Sequence, residues 1–533
     1  VLAVRKGKIS EVYPDFFPAG VDANVVANFI DIVARDLAEV MAPLPAVNCS
    51  AASQVSDRAR TFADKRTRIK GIIKKKSRIH VSAVCGKAMA SVACMLKDLG
   101  YVVTGSDAVF HPPMGDVLKK HNIKCSLYSV KNIKNIDILV VGNALAHDSL
   151  EVVEARKKGI PLLSGPEVLG QVFNERKSLV VAGTHGKTTT SGLLTHVFDY
   201  SLKNPGYMIG GMFQNLKDSY SIGSKNSKFV IYEGDEYNSA FFDRGPKFLH
   251  YNPTSVILTS LEYDHVDLYP SFEDYKQAFQ FLIEMLPKKG NLVIHESVVP
   301  LLDLKKCKAQ IVTYGASKKA DVIFRTIKTN SSGTVFSVSS KIIGNHQSLH
   351  IPLFGDYNVA NATAVYTLSL LEKLKKDSVA KALTCFSGTR ERQELVGVKK
   401  DNITIIRDYA HHPTAVKLTL EGLKKGYSDR RFIVVFEPRS ASSKRKVFEL
   451  PYAESLAYAD IIYVIDPVST PTPDSIDVVH VVDILNSKHK KAFVATSADE
   501  ALTLLRKEVL KDDVVVFMSS GDMASIPTRF FKE

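Results

Sequence analysis

Gly183-Thr184-His185-Gly186-Lys187-Thr188-Thr189-Thr190 follows directly on the apolar run Leu179-Val180-Val181. A β run that stops at a Gly-Lys-Thr turn and continues as a helix, here from about Ser191 to Tyr200, offers unpaired backbone N–H groups to an anion. A lysine charge and a metal-binding hydroxyl stand beside them. This is the chemistry that grips the phosphates of ATP, with Lys187 on the β and γ oxygens and Thr188 on Mg2+. The common spacing G-x-x-x-x-G-K-[ST] would put a glycine at 181, where Val181 stands, so the loop reads as a compact variant led by Gly183.

Other reactive side chains also sit where apolar runs end. Glu233-Gly234-Asp235-Glu236 follows Phe229-Val230-Ile231-Tyr232, and carboxylates at the carboxyl end of a strand beside a phosphate loop are placed to hold Mg2+. Leu261-Glu262-Tyr263-Asp264-His265-Val266-Asp267 follows the run Ser255 to Thr259, which makes His265 a candidate ligand for a second metal. Asp408-Tyr409-Ala410-His411-His412-Pro413-Thr414 closes another strand with paired histidines before a helix-starting proline. Glu437-Pro438-Arg439-Ser440 ends the run Phe432 to Phe436, and Arg439 could take a carboxylate with a two-pronged hydrogen bond.

The elements that must carry these residues alternate as strands and helices from Ile79 onward, the pattern of parallel α/β sheets. A first unit has strands at Ile79 to Val84, Tyr101 to Thr104 and Ile138 to Val141, with a turn at Cys85-Gly86-Lys87. Asp107, after the second strand, is at the Rossmann-type position for a ribose hydroxyl. A second unit opens at Leu179 and includes strands at 229–232, 255–259 and 291–294, a β-rich stretch over 308–351 and a helix over 358–374. A third opens near Ser387, with strands at 403–406, 432–436, 461–465, 492–495 and 514–518. Before these units, Val21 to Leu44 has helical periodicity and 48–76 is polar and basic.

Composition narrows the classes. The 533 residues are 45% hydrophobic and 24% charged, ordinary for a folded globular protein of about three domains. No apolar run reaches the roughly 18 residues that would span a bilayer. The six cysteines have no paired spacing, which argues for a reducing compartment, the cytoplasm, and against zinc or disulfide frameworks. Much of the net charge of +14 lies between Asp57 and Arg78. No RNA-binding aromatic pattern accompanies that run, so a solvated linker is favoured over a nucleic-acid contact.

Taken in order, GTHGKTTT, GDE, LEYDH, the Asn358/Asn361 pair, Arg390-Glu391-Arg392 and DYAHHPT resemble the Mur ligase family, ATP-dependent enzymes of bacterial cell-wall assembly, from about Arg78 to the C-terminus. The resemblance implies three α/β domains: a Rossmann-like UDP-sugar-binding domain over 77–177, a central P-loop ATP-binding domain over 178–386 and a Rossmann-like C-terminal ligase domain over 387–533. Residues 1–76 form an unassigned N-terminal extension. It also implies that a muramate carboxylate takes the γ-phosphoryl group of ATP and that an amine then displaces phosphate. Lys187, Glu236 and His265 are the implied catalytic residues; Thr188 and Glu236 are the implied ligands of a first Mg2+, and His265 of a second. Gly183 to Thr189, with Asn358, Asn361, Arg392 and Asp408, are implied on ATP. Gly86, Ser106, Asp107 and Asn143 are implied on the UDP-sugar, and His412, Arg439 and Ser440 on the incoming peptide.

Within the family, VCGKAM at 84–89, GSDAVFHPPM at 105–114, EYNSAFFD at 236–243, KFLHY at 247–251 and EPRS at 437–440 resemble the recycling branch. That branch joins UDP-N-acetylmuramate to the murein tripeptide L-alanyl-γ-D-glutamyl-meso-diaminopimelate; the branch that adds L-alanine shows a QPHR-like sequence where EPRS stands. Departures from the family pattern are Ala83 and Ala90 for glycines, Ser260 for asparagine, Tyr357 for histidine, Arg407 for aspartate, and Glu391 within an arginine pair. Three other readings stay open: L-alanine as the amine donor, a nucleic-acid-binding P-loop protein that uses the basic segment, and a non-catalytic regulator.

Overall fold

Parallel strands covered on both faces must be apolar nearly throughout, and three sets of such strands organise the chain. The computed structural model describes residues 71–532, except 214, 215, 217, 266, 267, 345, 441, 442 and 467–471. The helix expected over Val21 to Leu44 and most of the basic run lie outside the described residues.

The first sheet is all parallel, in the order β3-β2-β1-β4-β5. Its strands are β1 (Arg78–Ser82), β2 (Val102–Ser106), β3 (Lys124–Ser126), β4 (Ile138–Val141) and β5 (Leu162–Ser164). Helices α1 (Lys87–Asp98), α2 (Met114–Lys120), α3 (Leu150–Lys157) and α4 (Gly165–Val172) accompany them. The order is the Rossmann one, whose switch point lies between β1 and β4. β2 runs two residues further than the sequence suggests, because Val81 pairs with Gly105 and Ser82 with Ser106. Gly105 is required there: a Cβ on it would sit 2.8–2.9 Å from the Val84 side chain.

The second sheet has ten strands, in the order β17-β16-β15-β14-β13-β12-β6-β9-β7-β8. They are β6 (Lys177–Ala182), β7 (Gly206–Met208), β8 (Tyr220–Ser221), β9 (Phe229–Glu233), β12 (Pro253–Leu258), β13 (Asn291–His295), β14 (Gln310–Gly315), β15 (Val322–Asn330), β16 (Gly333–Ser340) and β17 (Gln347–Ile351). A separate hairpin pairs β10 (Asn238–Ala240) with β11 (Asp243–Pro246). The helices are α5 (Lys187–Tyr200), α6 (Phe272–Glu284), α7 (Asp356–Leu371) and α8 (Lys376–Thr384). α7 stops before the expected Leu374 because Lys373 takes a left-handed φ of 64°. Leu193, Leu194, Val197 and Phe198 of α5 are fully buried with Val359, Ala362 and Val365 of α7. At roughly 1.5–3 kcal/mol for each large apolar side chain buried, this contact fixes the helix behind the phosphate loop.

The third sheet runs β18-β19-β23-β20-β21-β22 and is parallel except for the edge pair β18/β19. Its strands are β18 (Glu394–Val398), β19 (Thr404–Asp408), β20 (Phe432–Glu437), β21 (Ile461–Ile465), β22 (Lys491–Ala495) and β23 (Val514–Ser519). Helices α9 (Pro413–Gly426), α10 (Glu449–Leu456) and α11 (Val478–Ser487) pack on one face, and α12 (Ala498–Glu508) and α13 (Ile526–Lys532) on the other. Among the described residues no helix is long and apolar enough to cross a membrane.

Candidate active site

β6 lies between β12 and β9 in the second sheet, so its carboxyl end is flanked by the ends of both neighbours. The loop that leaves it turns on Gly183 (φ 131°) and Gly186 (φ 80°), conformations that favour glycine. A Cβ on Gly186 would lie 2.9 Å from Asn361 Oδ1, so Asn361 on α7 packs beneath the loop. Asn361 Nδ2 donates to Asn358 Oδ1 (3.3 Å), and Asn358 Nδ2 donates to the Phe354 carbonyl (2.9 Å).

Lys187, at the start of α5, donates from Nζ to the carbonyls of Gly183 (2.7 Å) and Thr184 (3.1 Å) and to Glu236 Oε1 (2.9 Å). Burial alone would lower its pKa, but the charges of Glu236, Asp235 and Glu233 outweigh that and raise it. Glu236 is 1% exposed, and its Oε1 also meets His265 Nε2 at 2.9 Å. Burial pulls the His265 pKa down, and the contact with Glu236 and the charge of Asp264 more than reverse it. Thr188 Oγ1 donates to Glu233 Oε1 (2.6 Å), whose Oε2 accepts from the Gly210 N–H (2.7 Å). Glu233, the first residue of the acidic run expected to hold Mg2+, is thus the carboxylate on the Thr188 hydroxyl.

The flank toward β12 is held by Thr184 Oγ1, which donates to the Glu262 carbonyl and accepts from the Glu262 N–H, both at 2.9 Å. The His185 N–H donates to Ser260 Oγ (2.9 Å), and His185 Nε2 meets Glu262 Oε2 at 3.1 Å. Ser260, at the position where an asparagine is expected, therefore shapes the loop itself. Thr189 is buried in the first turn of α5.

The third sheet meets this loop from across the seam. His412, the residue before α9, has its ring centroid 6.0 Å from that of His185. Its Nδ1 is buried and finds no hydrogen-bond partner. Burial, then the neighbouring His185, lowers its pKa, which keeps the ring neutral. Asp408, at the end of β19, accepts from the Gln393 and Ala410 N–H groups, both at 2.7 Å. The Arg392 guanidinium covers the Tyr409 ring at 4.2 Å. Arg439 is half exposed, its Nη1 3.9 Å from Glu437 Oε1, and Ser440 Oγ accepts from the Ser443 N–H (3.1 Å). Lys187, Glu236, His265 and Thr188 thus come together at one end of the second sheet, whereas Arg439 and Ser440 sit on the third.

The UDP-side residues divide. Gly86 and Asn143 are exposed on loops after β1 and β4. Asp107 Oδ2 accepts from the Cys85 N–H (2.7 Å) and so ties the loop after β1 to the end of β2. Ser106 points inward: it is fully buried, with Oγ donating to Glu151 Oε2 (2.6 Å) and lying 3.0 Å from His80 Nε2. Ala83 occupies the expected glycine position with a left-handed φ of 57°. Two other departures answer each other, because Arg407 Nη2 lies 2.8 Å from Glu391 Oε1. A third is absorbed where Gln393 Nε2 donates to the Tyr357 hydroxyl (2.7 Å).

Comparisons with known proteins follow the same division into sheets. The Mur ligase family catalytic domain matches residues 78–177, the Mur ligase middle domain 181–369, and the Mur ligase glutamate ligase domain 391–521. A UDP-N-acetylmuramate–L-alanine ligase of Ligilactobacillus salivarius is 34% identical over 82% of this chain and 93% of its own length. The UDP-N-acetylmuramate–L-alanyl-gamma-D-glutamyl-meso-2,6-diaminoheptandioate ligase of Escherichia coli is 30% identical over 84% of this chain and 96% of its own. The crystal structure of a murein peptide ligase from Psychrobacter arcticus superposes with a TM-score of 0.59 at 30% identity, covering 86% of this chain and 98% of that one.

Proposed function

The chain belongs to the Mur ligase family of ATP-dependent, amide-bond-forming ligases, and from that premise we propose that it joins UDP-N-acetylmuramate to the tripeptide L-alanyl-γ-D-glutamyl-meso-diaminopimelate. In this reading the muramate carboxylate attacks the γ-phosphorus of ATP. The bond from that phosphorus to the ADP oxygen breaks, leaving an acyl phosphate. The amine of the tripeptide then attacks the acyl carbon, phosphate departs, and the nitrogen loses its proton as the amide forms.

The observation that carries the phosphoryl-transfer half is the Lys187–Glu236–His265 cluster beside the Thr188–Glu233 pair. Glu236 Oε2 is buried without a hydrogen-bond partner, and the site combines carboxylate and hydroxyl oxygens, a donor set that suits a hard cation. Thr188, Glu233, Glu236 and His265 would hold Mg2+, which when bound supplies positive charge against the phosphate oxygens. Lys187 brings its own charge to the same oxygens. Asn358, Asn361, Arg392 and Asp408 serve the nucleotide, while Gly86, Asp107 and Asn143 serve UDP, Asp107 by fixing the loop. His412 is neutral, faces the phosphate loop, and can accept a hydrogen bond from the incoming amine.

For the tripeptide, the support is Arg439 at the end of β20, an exposed guanidinium in the EPRS run and suited to a carboxylate. L-alanine is a second reading because an L-alanine ligase is among the relatives, at 34% identity. Phosphate release with UDP-N-acetylmuramate and ATP, with tripeptide and L-alanine supplied separately, tests the choice. Faster turnover with the tripeptide is expected, and faster turnover with L-alanine would overturn the assignment.

A further inference from the structure

A second group of ligand-type side chains lies where the first and second sheets join. Glu167 in the first turn of α4, Asp243 at the start of β11 and His250 at the end of the 3-10 turn Lys247–His250 bring their ligand atoms within 4.8 Å of one another. The three residues are only 1%, 4% and 5% exposed. His250 Nε2 lies 2.8 Å from Asp243 Oδ2. Asp243 Oδ1 accepts from the Gly245 N–H (3.3 Å), and Glu167 Oε2 accepts from the Ser164 N–H (2.7 Å) in a capping box.

Charge and rigidity both bear on what this cluster does. Two carboxylates and an imidazole converge here away from solvent, and buried charge is costly unless it is paired or bound to a metal. The scaffold around the cluster is fixed. Gly170 of α4 packs against the His250 carbonyl so closely that no Cβ fits. Asn252 Nδ2 donates to the Gly170 carbonyl (2.8 Å), and the Tyr232 hydroxyl donates to the Leu169 carbonyl (3.2 Å). The three side chains therefore come from elements already held in register, a requirement for a preorganised site.

We propose that Glu167, Asp243 and His250 form a structural site for a divalent transition-metal ion, Zn2+ first among them, that clamps α4 of the first sheet to the second. Bonds of about 2.0–2.1 Å in a tetrahedral arrangement separate ligand atoms by roughly 3.3 Å. The His250–Asp243 contact would open slightly to that spacing, and the Glu167 oxygen already lies within 4.8 Å of both. One imidazole and two carboxylates suit a borderline ion better than Mg2+, and water or a small anion would complete the coordination. None of the three residues belongs to the phosphate-loop cluster.

The experiment uses the full chain, stripped with a chelator, incubated with ZnSO4 and exchanged into metal-free buffer before elemental analysis. Glu236→Gln serves as a parallel background that disables the phosphate-loop centre. One Zn2+ per chain is expected in both proteins. Asp243→Asn and His250→Gln should each weaken retention by more than the roughly 10–100-fold that loss of an outer-shell partner costs. Should those variants not fold, Co2+ added to the Glu236→Gln protein gives the same answer, because a tetrahedral site yields intense visible absorption and a loose surface ion does not. The proposal is overturned if the parent keeps no Zn2+, if His250→Gln keeps it undiminished, or if Co2+ produces no such bands.

Discussion

Lys187 and Glu236 allow stability and chemistry to be separated within one pair. Their side chains are 15% and 1% exposed and 2.9 Å apart. Removing one member of such a buried pair costs about 3–5 kcal/mol, because the other is left charged without compensation. Lys187→Met strands Glu236, which keeps only His265 on the same oxygen, so a loss near the lower end, about 3 kcal/mol, is expected. Glu236→Gln preserves shape, and Lys187 retains two carbonyl acceptors, so the loss should be nearer about 1–2 kcal/mol. The double variant should fall short of the sum by about 1–3 kcal/mol, the coupling expected of residues in direct contact. Denaturant unfolding measures these differences, and phosphate release measures the chemistry in the same preparations. Both single variants should lose about 100-fold or more in turnover, and the double variant, though less destabilised than the sum, should regain no activity. If Lys187→Met released phosphate within about tenfold of the parent, the assignment of the phosphate-loop charge would be wrong. Strict additivity of the two stability losses would refute the pairing.

Three further outcomes follow from the geometry. Gly183→Ala puts a methyl group onto Thr259 Oγ1 and within 2.8 Å of the Ser260 carbonyl at a φ of 131°, so ATP affinity by calorimetry should drop by at least about tenfold (1.4 kcal/mol); unchanged affinity would mean that the loop does not contact the nucleotide. Burial pushes the Glu151 carboxyl up, but hydrogen bonds from His80, Ser106, Ser82 and Asn132 outweigh it and hold the pKa at about 2. Against an unfolded value of about 4.3 this contributes roughly 3 kcal/mol, present in full above the unfolded value and lost as pH falls toward 2. Glu151→Gln should therefore destabilise at pH 7 and converge with the parent in acid, and a gap that stayed constant between pH 5 and 2 would contradict this. Arg407→Asp should lower the thermal midpoint by placing an acid beside Glu391, and adding Glu391→Arg should recover about 0.5–1 kcal/mol; recovery by Glu391→Arg in the parent background would argue against direct pairing.

The phosphate loop was legible because its signal is local: an apolar strand, two glycines, a lysine and a hydroxyl in unbroken sequence. What could not be read was which of three neighbouring carboxylates faces which partner. Val181 pairs with Glu233 in the parallel ladder, and that register sets Glu233 beside the start of α5 while Glu236, three residues on, curls back to Lys187 and His265. Ser106 failed to show its orientation for a related reason. The strand expected to end at Thr104 runs on through Ser106, and residues two apart share a face, so Ser106 joins Thr104 beside His80 and reaches Glu151. The substitutions that read as departures were opaque singly, because their sense lies in pairs: Glu391 with Arg407, and Tyr357 with Gln393.

Those pairs also locate where the molecule can and cannot yield. Between the first and second sheets, Gly170 admits no side chain against the His250 carbonyl, and α4 is hydrogen-bonded through Leu169 and Gly170 to Tyr232 and Asn252. Between the second and third, one link runs through Gln393, whose side chain accepts from the Phe354 N–H (2.9 Å) and donates to Tyr357 while its own N–H donates to Asp408, and Gly422 of α9 packs closely on Gly355. Glu391 and Gln393 both take left-handed φ values, 60° and 47°. A segment held by side-chain hydrogen bonds and two strained residues stores conformational energy of order 1–3 kcal/mol per position. Closure on substrate should therefore draw on 391–393 and bring His412 and Arg439 toward the phosphate loop.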